Sequence, residues 1–159
     1  MCLSHDPGRT RKLAARLEKK GYVIGYKVLR RYLGSLESIY KIWYGWKPGW
    51  NKASDKKRQF FITQANRFGM KNNKSVKYSN VRKYTPIYEG IHICTNKKAA
   101  QSILNDFSPY YTIIVPVKCY KNDFISSGYF NDRTDSPSAV FTKVFLTKKD
   151  YEKALGGEK

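Results

Sequence analysis

Five segments rich in β-branched and aromatic residues constrain this chain most: YVIGYKVLRRYL (22–33), ESIYKIWYGW (37–46), PIYEGIHICT (86–95), YYTIIVPVKCY (110–120) and AVFTKVFLT (139–147). Residues of this kind suit pleated, half-buried surfaces. In the second segment Ile39, Lys41 and Trp43 alternate with Tyr40, Ile42 and Tyr44, which is the period of a strand. Gly34 and Ser35 between the first two segments predict a hairpin. Gly25 marks a bulge or a close contact, and Pro116 an edge strand or a bulge.

Helical patterns separate these strands. SHDPGRTRKLAARLEKKG (4–21) places Pro7 near a helix start, Leu13 and Leu17 on one face and Gly21 at the stop. ASDKKRQFFITQANRFG (53–69) reads as a helix with Phe61, Ala65 and Phe68 on one face. Thr95 or Asn96 caps NKKAAQSILNDF (96–107), whose buried face is Ala99, Ala100, Ile103 and Leu104, and Thr147 opens KKDYEKAL (148–155). KPGW (47–50) is a turn, with Pro48-Gly49 suited to its two central positions. MKNNKSVKYSNVRKYTP (70–86) and KNDFISSGYFNDRTDSPS (121–138) read as exposed connections. The expected fold is α+β: one domain, a mostly antiparallel sheet and short flanking helices. A basic N-terminal helix (1–21) precedes an α+β domain (22–159) that carries a basic insert at about 52–84.

Charge narrows the partner. Residues 1–84 hold 21 Lys and Arg against 4 Asp and Glu, a surplus of +17; residues 85–159 hold 10 against 8, a surplus of +2. So one-sided a field favours a polyanion: nucleic acid, an anionic membrane surface or an acidic protein. The candidate contacts are Arg11, Lys12, Arg30, Arg31, Trp46, Trp50, Lys52, Lys56, Lys57, Arg58, Arg67, Lys74 and Arg82. Tryptophans among cations can stack on unpaired bases while Lys and Arg meet phosphates. The competing reading of Trp46 and Trp50 is core packing or a turn clamp around Pro48.

The two histidines and three cysteines raise a second question. His92 and Cys94 share a face if 86–95 is a strand, Cys119 lies on the following strand, and Cys2 and His5 form a C-x-x-H. These residue types can hold zinc, and Cys2 can act as an N-terminal nucleophile once Met1 is removed. No metal-knuckle spacing, P-loop or dinucleotide fingerprint accompanies them. Asp132 and Asp135 can meet a cation, but a solvated loop accounts for them as well. The structural reading of these residues is adopted, with no metal, cofactor or catalytic residue expected. Gly90, just before Ile91-His92, signals a close approach by backbone or ligand. The cysteine pattern points to an intracellular, reducing location, and no signal peptide or membrane span is expected.

The segments YKVL (26–29), YKIWYGWKPG (40–49), GIHICTNKKAA (90–100), IIVPVKC (113–119) followed by Asp123 and Gly128, and VFTKVFL (140–146) occur in an order that resembles a loose group of small uncharacterised proteins of bacteriophages and large DNA viruses. The group's usual aromatic residue before the histidine is Ile91 here. The resemblance implies a viral origin and attaches no activity. Two functions follow as expectations: a nucleic-acid-binding accessory protein without strong sequence specificity, or a structural virion protein facing the genome or an acidic capsid partner. An enzyme acting on nucleotides or nucleic acid through His92 or Cys2 is a weaker third.

Overall fold

The computed structural model describes residues 3–39, 45–53, 86–87, 90–108, 110–130 and 135–156. The first half contributes β1 (Leu3–His5), α1 (Pro7–Lys20), β2 (Tyr22–Tyr32), β3 (Ser35–Ser38), β4 (Gly45–Trp46) and β5 (Gly49–Lys52). The second half contributes β6 (Pro86–Ile87), β7 (Ile91–Cys94), α2 (Lys97–Leu104), β8 (Thr112–Tyr120), β9 (Phe124–Phe130), β10 (Pro137–Phe141), β11 (Lys143–Leu146) and α3 (Lys148–Ala154). The strands form one sheet in the order β5-β11-β8-β2-β7-β10-β9-β1-β6, with β3 beside one end of β2 and β4 beside β3. Every pairing among the described residues is antiparallel. This is the expected α+β domain.

The helices follow their end signals. Asp6 accepts from the Arg9 amide at 3.0 Å, Pro7 starts α1, and Gly21 at φ 80° ends it. Asn96, one of the two expected caps, accepts from the Ala99 amide at 2.7 Å. Thr147 accepts from the Asp150 amide at 3.1 Å and opens α3. Leu13 and Leu17 of α1 and Ala154 of α3 join Val23, Val117, Cys119, Val144 and Leu146 in one core. On the other face Ala99, Ala100 and Ile103 of α2 pack with Val28, Cys94 and Phe130.

Four of the expected single elements are divided or replaced. ESIYKIWYGW is not one strand: its described parts are β3 and β4, which pair with each other through Leu36↔Trp46 and Glu37↔Gly45. PIYEGIHICT is two strands, β6 beside β1 and β7 between β2 and β10. Gly90 before β7 sits at φ 89°, and a Cβ there would lie 2.4 Å from Val140 Cγ1, so the close approach expected at Gly90 is made by the protein itself. AVFTKVFLT bends at Thr142, whose amide donates to the Asp123 carbonyl at 2.8 Å while its own carbonyl accepts from Ala53 at 2.8 Å. The stretch read as a loop at 121–138 contains β9, held between β10 and β1. Small residues are needed there because backbones crowd: a Cβ on Gly128 would stand 1.8 Å from the Ser4 carbonyl oxygen.

Three smaller differences follow from tertiary pairing. Leu3–His5, read as part of the basic N-terminal helix, is a strand, because it pairs with β9 and β6. β5 begins inside the residues read as a turn and ends at the first residue of the expected basic insert. Pro116 lies on an interior strand, but the ladder between β8 and β11 is made opposite Lys118, short of the proline. The helix expected over 53–69 and the connection over 70–86 fall almost wholly outside the described residues.

Candidate functional site

Successive residues of a strand face opposite sides of the sheet. Where β2, β8, β11 and β5 lie together, one side is closed: Val23, Val117, Cys119, Val144 and Leu146 are buried in the core that α1 and α3 cover. The other side of the same strands is open. One row across it runs Ile24, Lys118, Phe145 and Trp50, set by the pairings Ile24↔Lys118, Phe145↔Lys118 and Phe145↔Trp50. The neighbouring row runs Tyr22, Tyr120, Lys143 and Lys52, set by Tyr22↔Tyr120 and Lys143↔Lys52. Further along this face α2 covers Val28, with Tyr26 and Ile114 packed against it.

The rings on the open face touch in series. Tyr22 and Tyr120 have centroids 6.0 Å apart, Tyr120 and Trp50 5.4 Å, and Trp50 and Phe145 5.4 Å. Two lysines sit over them, Lys143 Nζ 4.3 Å from the Trp50 centroid and Lys118 Nζ 5.8 Å from that of Tyr22. Tyr22, Ile24 and Trp50 are 44%, 41% and 37% exposed. Among the described residues these form an exposed apolar area edged by lysines, the kind of surface that marks an interaction site. Neither row contains a carboxylate, so its charge is of one sign.

Local sequence explains why Trp50 is presented. Gly49 adopts φ 93°, as the expected Pro48-Gly49 turn requires. Asn51, pointing to the closed side, clamps that turn: its Nδ2 donates to the carbonyls of Lys47 at 2.8 Å and Gly49 at 3.3 Å, and its Oδ1 accepts from the Lys47 amide at 3.1 Å. With Asn51 held inward, Trp50 and Lys52 must point outward.

The expected contact residues separate into groups. Trp50 and Lys52 lie on the open face. Trp46 does not: it is 3% exposed, donates from Nε1 to Ser38 Oγ at 2.8 Å, and has the Lys27 amine 6.0 Å above its ring. Arg11 and Lys12 are exposed on α1, which packs on the closed side. Arg30 pairs with Glu37 at 2.6 Å and stacks on Tyr32, and Arg31 is half-buried beside it, both at the far end of β2. Lys56, Lys57, Arg58, Arg67, Lys74 and Arg82 lie outside the described residues.

The histidines and cysteines do not assemble as a site. His5 and His92 are buried on one face of the sheet; His5 Nδ1 bonds Ser126 Oγ at 2.5 Å, and His92 Nδ1 meets the Gly90 carbonyl at 3.3 Å. Cys94 lies on that face, because it pairs with Tyr26, whereas Cys119 pairs with Val23 and points the other way. Among the described residues no three His, Cys, Asp or Glu side chains come together to hold a metal ion. Burial pushes the Cys94 thiol up to about 11, against the nearby Lys27 amine and a Ser138 hydrogen bond, and pushes Cys119 up to about 12. Neither is a thiolate nucleophile near neutral pH. Cys2 and Asp132 fall outside the described residues, and Asp135 accepts from Ser102 Oγ at 2.6 Å.

Comparison with protein-family models, curated proteins and solved structures finds no match. The open face therefore stands on its own chemistry, which is aromatic surface and fixed positive charge. Tyr22, Ile24, Lys118, Tyr120, Lys143 and Phe145 were not among the residues expected from sequence. Their signal is present in strict alternation: YVI, VKCY and KVFL each place a ring, lysine or isoleucine opposite a buried Val, Leu or Cys.

Proposed function

We propose that the protein binds nucleic acid without strong sequence specificity, its lysines meeting phosphates. The observation that carries this reading is the open face on which Lys118 and Lys143 stand over four contiguous rings, in two rows that contain no carboxylate among the described residues. Positive charge continues from it in Lys19 and Lys20, which close α1 just before Tyr22, while Lys121, next to Tyr120, is paired with Glu18 at 2.8 Å. Uniform cationic surfaces attract phosphate backbones whatever their sequence. The setting as a viral accessory protein rests on the sequence resemblance alone.

A structural virion protein is the second reading. Tyr32, Leu33, Tyr110 and Tyr111 are 50%, 88%, 84% and 61% exposed at the opposite end of β2, where the Arg31 amide donates to the Tyr111 carbonyl at 2.6 Å. Tyrosine-rich apolar ends favour a protein partner. Recovery from purified particles at fixed copy number supports this reading, and absence removes it.

The test of the first reading is binding of the purified protein to DNA and RNA across a salt series. Affinity should fall steeply with salt, on the order of −0.9 in log–log slope for each phosphate contacted on duplex. Lys118→Glu with Lys143→Glu should weaken binding at least about tenfold. Binding unchanged in that double variant would remove the open face from the interaction.

A further inference from the structure

We infer that the open face takes unpaired bases on its rings, so that its ligand is single-stranded nucleic acid rather than duplex. The inference rests on the nucleic-acid reading above and names the substrate of the same site. Lysines alone would serve duplex and single strand alike; the rings decide between them. In a duplex the base faces are occupied by neighbouring bases, and only edges and phosphates are offered to a protein. The open face is one side of a set of antiparallel strands, and its exposed rings gain nothing from phosphates. An unpaired base offers a free π-face, which Trp50 and Tyr22 can match.

The spacing suits a short stretch of strand. From β2 to β5 there are three inter-strand steps, or about 14 Å. Tyr22 lies on the first of these strands and Trp50 on the last, with the Tyr120 ring between them. Lys118 and Lys143 now stand over those same rings, so a base that stacks there displaces their flexible amines toward the phosphates on either side of it. The face is also poor in groups that read base edges. Its two rows contain no Asn, Gln, Asp, Glu or Arg, and Asn51 is turned inward by its clamp on Lys47 and Gly49. Stacking without edge contacts tolerates any sequence.

The experiment compares a fluorescently labelled oligothymidylate with a duplex of equal length at one fixed salt concentration, by anisotropy. The wild type should bind the single strand more tightly. Trp50→Ala and Tyr22→Ala should each lower single-strand affinity by about five- to one-hundredfold and leave duplex binding unchanged. Trp50→Phe, which keeps a ring, should retain most of the affinity. Tyr22 is 44% exposed, so its variant keeps the test open should Trp50→Ala fail to fold. If the ring variants bind the single strand as the wild type does, while duplex binding persists, single-strand selection is overturned and the phosphate reading stands. If neither nucleic acid binds at low salt, or if only anionic lipid vesicles bind and the rings are needed for it, both are overturned.

Discussion

Trp46 and Trp50 stand four residues apart in one short segment and meet opposite fates. Trp46, on β4, is closed into the core with its indole N–H satisfied by Ser38. Trp50, on β5, lies on the open side of the sheet against Tyr120 and Phe145 with a lysine over it. The turn at Lys47–Trp50 carries the chain from β4 to β5, so the two rings end in different surroundings. The same contrast extends across the sheet. Val23, Val117 and Val144 on one side build the core, while their neighbours Ile24, Lys118 and Phe145 build the open face. Where β2, β8, β11 and β5 lie together, the packed core is on the first side and the surface proposed for binding on the second.

Substitution at the two tryptophans is the sharpest way to break this contrast. Trp46→Ala should cost about 3–5 kcal/mol, read as a lower denaturant midpoint, because a large buried ring leaves a cavity. Trp50→Ala should cost about 1 kcal/mol, the scale of its aromatic contacts. Equal losses in the two variants would show that the open face belongs to the core.

The buried thiols give the next effect. An unfolded thiol has the ordinary value of 9.0, whereas folding raises Cys94 to about 11 and Cys119 to about 12. The folded state then keeps these protons when the unfolded state has lost them. Their contribution is complete below pH 9 and declines as pH rises through 11 and 12. Denaturant midpoints across alkaline pH should fall, and Cys119→Ala should fall less steeply than the wild type. An unchanged slope would mean that the thiol does not govern the decline.

The smallest effect belongs to the solvent side. Lys121 and Glu18 pair at 2.8 Å, but both side chains are largely exposed. Glu18→Gln should change stability by no more than about 0.5 kcal/mol, since water and salt screen such pairs. A larger loss would place part of the stability on the surface and blur the division between the two sides.

Much of the fold was legible in local chemistry. The three described helices have starts readable from Pro7, Asn96 and Thr147, and β2 and β8 appear almost to the residue in their β-branched and aromatic runs. β9 was hidden because Ser126, Ser127 and Gly128 resemble a loop. Its identity depends on residues more than 100 positions away: the Ser4 backbone lies against Gly128, and Thr10 Oγ1 donates to the Ser127 carbonyl and accepts from its amide. The divided strands at Gly90 and Thr142 were hidden for a similar reason, since a run of β-formers does not reveal that its halves join different neighbours. Of the open face, only Trp50 and Lys52 were read from sequence. Composition drew attention to the basic first half, but Lys118, Tyr120, Lys143 and Phe145 come from the nearly neutral second half.

By itself, then, the sequence determined the α+β class, the starts of the described helices and the excess of positive charge, because each depends on neighbouring residues or on sums. Tertiary structure decided which side of each strand meets water. That choice follows from where α1, α2 and α3 find room to pack, and it brings residues from four strands distant in the chain into one open, cationic, aromatic surface.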